Sequence, residues 1–128
     1  MLSIKNIELI LKDVPDFDFR DLQYITSFNY QSSNEYGLFY GYGNTFYLDM
    51  KFMLIPKQTK GSAYKVIIRF SNVVDLKFNG ASRLMGFNIQ DISERGLEGI
   101  RYLIENYKSD VINFYCQSIQ IISLDKLL

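Results

Sequence analysis

Histidine is absent from this chain. That removes the side chain that most often serves as a general base near neutral pH and the commonest metal ligand, and most hydrolase schemes go with it. Cysteine occurs once, at Cys116, so no intramolecular disulfide can form, and no Asn-x-Ser/Thr acceptor for glycosylation is present. Both absences suit a reducing compartment, and a cytoplasmic protein is expected. No apolar run approaches the roughly 20 residues of a membrane-spanning helix. Near the N-terminus Lys5, Glu8 and Lys12 interrupt the apolar residues that a secretory leader would keep together. No membrane partner is expected. Net charge is lacking too: lysines and arginines equal aspartates and glutamates, and the pI of about 6 is wrong for a dedicated nucleic-acid binder, so nucleic acid is disfavoured as a partner.

What the chain does have is core material. Of its 128 residues 48% are apolar and 16% aromatic, enough to offset chain entropy in a single domain spanning residues 1–128, without metal or disulfide. The balanced charges are unevenly distributed. Residues 1–50 carry seven acids against three bases, whereas residues 51–83 carry seven bases against Asp75 alone. Such asymmetry steers charged partners and says nothing about fold.

Periodicity supplies the fold class. Ile4, Ile7, Ile10 and Leu11 fall at helical spacing behind Ser3 as N-cap, which predicts a short helix over 3–12 that ends at Pro15. The period then becomes two. Phe17 and Phe19 alternate with Asp16, Asp18 and Arg20, and Leu22, Tyr24, Phe28 and Tyr30 continue the pattern with a gap at Thr26. Phe46, Leu48, Met50, Phe52 and Leu54 share one strand face. Residues 56–62 read as a solvated hairpin loop before Tyr64, Val66, Ile68 and Phe70, and Val74, Leu76 and Phe78 alternate up to the turn dipeptide Asn79-Gly80. A weak strand is expected over 84–89, a helical turn over 91–96 begun by Asp91 and Glu94, and strands through Ile100–Ile104, Ile112–Cys116 and Ser118–Leu124. The stretch 97–107 also fits helical spacing, against which Gly96 and Gly99 weigh. About eight strands without a βαβ rhythm predict a mainly β fold, with α+β as the alternative class: an antiparallel sandwich or flattened barrel with one short N-terminal helix.

No constellation of catalytic residues emerges, and no enzyme activity, cofactor or metal is expected. Cys116 shares the inward parity of Ile112 and Phe114 and reads as a buried structural thiol. Gly41-Tyr42-Gly43-Asn44 precedes a strand where a phosphate-binding loop would precede a helix. Lys65, Arg69 and Lys77 would share an outer face if their strands paired. Two groups are candidates for partner contact. Asp13, Asp16, Asp18 and Asp21 form an acidic stretch suited to a basic partner, or an edge strand kept from aggregating by charge. Tyr36, Tyr40, Tyr42 and Tyr47 crowd around a glycine-rich turn, where exposed tyrosines make interface anchors.

The segment from Lys65 to Phe78, with its strand ending Phe70-Ser-Asn-Val, then Gly86 to Ile92, Tyr102 and the Phe114-Tyr-Cys116 strand, resembles small bacterial proteins encoded beside polymorphic toxins as their immunity partners. The resemblance covers the C-terminal half. It implies a cytoplasmic inhibitor that binds a cognate toxin tightly and blocks its active site or an adjacent surface, with no chemistry of its own. The alternative that the residues themselves leave open is a binder of a small apolar ligand inside a β-barrel cavity.

Overall fold

The two-residue rhythm becomes strands in the computed structural model, which describes residues 2–32, 46–57, 61–80, 83–84, 86–106 and 111–127. After a four-residue helix α1 (Glu8–Leu11), the described residues contain β1 (Leu22–Ser32), β2 (Phe46–Leu54), β3 (Tyr64–Ser71), β4 (Val74–Phe78), β5 (Phe87–Asp91), β6 (Tyr102–Asn106), β7 (Ile112–Cys116) and β8 (Ser118–Lys126). They form two four-stranded antiparallel sheets, ordered β1-β2-β3-β8 and β4-β7-β6-β5. This is the mainly β fold expected, as a sandwich and not a closed barrel. The strand expected from Ile100 begins at Tyr102: residues 97–101 are turn and irregular chain, and β6 runs from Tyr102 to Asn106.

Each sheet turns its apolar parity inward. On β2, Leu48, Met50, Phe52 and Leu54 are fully buried, and the register sets Met50 opposite Ile68 and Phe52 opposite Val66 on β3. Aromatic pairs then lock one sheet to the other. Phe52 meets Phe87 edge to face at 5.3 Å between ring centroids, Phe70 meets Phe114 at 5.1 Å, and Phe28 stacks on Phe78 at 4.3 Å along the β1–β4 side. Burying one such side chain contributes about 1.5–3 kcal/mol. Cys116 lies in this core with its thiol pushed up to about 12 by burial, the inert cysteine its parity implies.

Departures from the periodic reading have local causes. Residues 3–12 are not one helix: α1 covers only Glu8–Leu11, and Ser3 caps nothing, its amide instead donating to the Tyr102 hydroxyl. Lys5 lies parallel to β8, bonding Ile119 and Ile121, and Asn6 at φ 63° makes the break between this extended piece and the helix. Phe17 and Phe19 do not begin a strand, because Asp18 caps a 3-10 turn at Phe19–Asp21 and β1 starts only at Leu22. The gap in the pattern at Thr26 is a β-bulge: Ile25 faces Phe52 and Ser27 faces Lys51, leaving Thr26 over.

β3 and β4 do not form a hairpin. The chain bends at Asn72, φ 57°, and passes to the second sheet, so Lys77 does not join Lys65 and Arg69 on one face. Val74, read as inward, is 40% exposed, because Asp75 at φ 54° bulges β4 out of register. The expected strand over 84–89 begins late, at Phe87. The helical turn over 91–96 is a 3-10 turn at Ser93–Arg95, held by the Ser93 amide donating to the Asp91 carboxylate and closed by Gly96 at φ 69°.

Candidate protein-binding surface

The acidic stretch follows α1 and meets the chain just beyond β2, where the Ile55 amide donates to the Asp21 carbonyl. Val14 is buried there and its amide donates to Ile10, so Asp13 and Asp16 on either side are pushed into solvent. The other two aspartates are spent on structure. Asp18 accepts from the Arg20 amide at 2.8 Å and takes the Arg20 guanidinium at 3.1 and 2.7 Å. These bonds, the side-chain one foremost, hold its carboxyl at about 2.

Asp21 is the reverse case. It closes a reciprocal capping box by accepting from the Asp18 amide at 3.4 Å, and its side chain is only 3% exposed. Burial raises its pKa above the ordinary carboxylate value, and the Asp18 amide and the Lys57 ammonium at 3.9 Å only partly oppose that shift. Val14, Pro15, Asp16, Asp18, Asp21, Pro56 and Lys57 line a cleft of about 130 Å³, too small for most organic ligands. Among the described residues no group of three or more acids or cysteines is placed to hold a metal.

Tyr47 sits at the opposite end of β2. Its ring lies under the Arg69 guanidinium at 4.7 Å, and Arg69 forks onto Asp49 through two bonds of 2.8 Å. Strand register explains the trio, since Asp49 faces Arg69 directly across β2 and β3. The pairing raises the Arg69 pKa and neutralises a cation of the basic stretch. At the rise of an extended chain, Tyr47 and the cleft at Pro56 stand about 30 Å apart. The structure therefore brings Asp16, Asp18 and Asp21 together but leaves Tyr47 away from them. Tyr36, Tyr40 and Tyr42 lie outside the described residues.

Sequence reading missed one surface. Across the outside of the second sheet the register aligns Gln90, Leu103, Tyr115 and Val74 in one row, beside a polar row of Asn88, Glu105, Asn113 and Lys77. The outward parity of Leu103 and Tyr115 is legible in the alternation, but their adjacency to Val74 depends on β4 pairing with β7. The space between the sheets is filled by fully buried side chains that include Phe52, Phe70, Phe87 and Phe114, which leaves the barrel-cavity alternative without the barrel it needs.

No helix among the described residues is long and apolar enough to cross a membrane. Comparison with curated proteins and with solved structures finds no match. A family model does match, that of immunity protein PIM8, over residues 18–122. The matched region starts at the capping Asp18, takes in Asp21 and Tyr47 and leaves out Asp13 and Asp16. Because it runs through both sheets and most of the chain, the protein belongs to the PIM8 immunity protein family.

Proposed function

We propose that this chain neutralises a cognate toxin by binding it directly, as a cytoplasmic inhibitor that performs no reaction itself. The family match over residues 18–122 carries the reading. The proposed contact residues are the acids at 13–21 and the tyrosines at 36–47. Within the acidic group Asp13 and Asp16 present solvent-facing carboxylates to a basic partner, Asp18 and Asp21 shape the turn beneath them, and Tyr47 offers an aromatic edge backed by Arg69.

Co-expression with the toxin encoded beside the chain is the test, followed by calorimetry on the purified pair. The chain is expected to rescue growth and to bind with one defined stoichiometry. Reversing Asp13 and Asp16 to lysine should slow association, the usual effect of charges at an interface rim, and Tyr47→Ala should weaken binding by about 2 kcal/mol if it is an anchor. Failure of the neighbouring product to be bound or neutralised would remove the function. Rescue with unchanged affinity in both variants would keep the function and move the contact elsewhere, with the Leu103–Tyr115–Val74 row next to be tested.

A further inference from the structure

Among the described residues four strands form sheet edges, and three of them are guarded. β8 is covered by Lys5, which donates to Ile119 at 3.0 Å and accepts from Ile121 at 2.9 Å. β5 ends in Asp91 and packs against the 3-10 turn at Phe19–Asp21. β4 is only five residues long, carries Asp75 and Lys77, and is bulged at Asp75. Short, charged, bulged or covered edges are the usual means by which proteins prevent strand addition.

β1 differs from the rest. Over its eleven residues it has no charged side chain and no proline. Its first half is irregular and met from outside, with a register shift at Gln23, a bulge at Thr26, Arg83 bridging Tyr24 and the Leu84 amide donating to Gln23 at 2.7 Å. From Ser27 the ladder to β2 is regular up to Ser32, and among the described residues no backbone group bonds to the outer side of this stretch.

We propose that the outer edge of β1, from Ser27 to Gln31, pairs antiparallel with the same edge of a second copy of this chain and joins two four-stranded sheets into one. The uncharged strand and its exposed inner-face Tyr30 favour this occupant, and side-chain register permits it. In an antiparallel pair directly opposed residues point to the same face, so a two-fold axis must pass through a residue and not between residues. With the axis at Asn29, Ser27 of each copy opposes Gln31 of the other on the outer face, and Phe28 opposes Tyr30 on the inner face, twice. Both faces match in polarity, and the interface gains two aromatic cross-strand pairs. Tyr30 is 41% exposed in the single chain although it lies on the inner side of its sheet beside Phe46, which this pairing covers. No like charges meet, because the strand has none.

Sedimentation equilibrium of the full chain over a concentration series tests the pairing, with the mass expected to rise toward twice 15.0 kDa. Asn29→Lys places two ammonium groups face to face on the axis, while within each chain the new lysine faces Asp49 across β2, so the fold is retained and the dimer lost. Asn88→Lys, on the outside of the second sheet, should leave the mass series unchanged. As a second readout, Asn29→Cys should oxidise to a linked dimer, whereas Asn88→Cys should not. A wild-type mass that stays at one chain at every soluble concentration overturns the proposal, as does a dimer that persists in folded Asn29→Lys. Equally adverse is a monomeric wild type whose toxin binding disappears in Asn29→Lys, which would make the edge a docking site for the toxin.

Discussion

The hydroxyl of Tyr102 donates to the Ser3 carbonyl at 2.9 Å and accepts from the Ser3 amide at 3.0 Å. Tyr102 belongs to β6 in the second sheet, while Lys5, two residues beyond Ser3, bridges to β8 in the first. The N-terminal segment thus fastens both sheets along one side of the sandwich. It does so from outside the region that matches the family model.

Tyr102→Phe keeps the buried ring and deletes both bonds. At about 0.5–1.5 kcal/mol for each hydrogen bond, a loss of about 1–3 kcal/mol is expected in urea unfolding. Hydrogen exchange should quicken at Ser3 and Lys5 while the β6–β7 ladder stays protected. Unchanged exchange at those two amides would show that the segment is held by Ile4, Ile7 and Leu9 packing alone.

Phe70 and Phe114 tie β3 to β7, and their edge-to-face contact makes them energetically coupled. Phe70→Leu and Phe114→Leu should each destabilise by about 1–3 kcal/mol. The double variant should fall short of the sum by about 1 kcal/mol, the value of such a ring pair beyond its buried area. Strict additivity would show that each ring contributes through burial only.

Asp18 and Asp21 pull the pH profile in opposite directions. Asp18, held at about 2 in the fold, adds stability that is present above the ordinary carboxylate value of 3.8 and is lost as pH falls toward 2. Asp21, raised by burial, adds stability that is full below 3.8 and is lost as pH rises through its higher native value. Asp21→Asn retains an oxygen to accept from the Asp18 amide and removes the second effect. Relative to wild type, the variant should therefore gain stability between acidic and neutral pH in urea midpoints. A constant difference across that range would mean that Asp21 ionises in the fold as readily as in the unfolded chain.

Alternation determined the class of this fold. Apolar residues two apart from Phe46 to Leu54, from Tyr64 to Phe70 and from Ile112 to Cys116 can be buried together only on one side of a sheet, so strand existence, inward parity and the inert cysteine were all readable from the chain. The break at Thr26 was readable as well, though as a lapse in pattern and not as the bulge it is. Ser3 and Phe17 misled for different reasons: remote partners, Tyr102 and β8, overrode the helical spacing of the first segment, and a local cap between Asp18 and Asp21 overrode the strand alternation of the second.

The surfaces were a matter for tertiary structure. Acids at 13–21 look alike in sequence, yet two face solvent, one is clamped by Arg20 and one is buried, because burial depends on what the 3-10 turn packs against. Lys77 parts from Lys65 and Arg69, and Leu103 and Tyr115 gain Val74 as a neighbour, only because the chain crosses between sheets at Asn72. Period two states which side of a strand is dry. Which strands become neighbours, and so which side chains share a face and which edge stays open, is decided by long-range pairing that one strand's pattern does not encode.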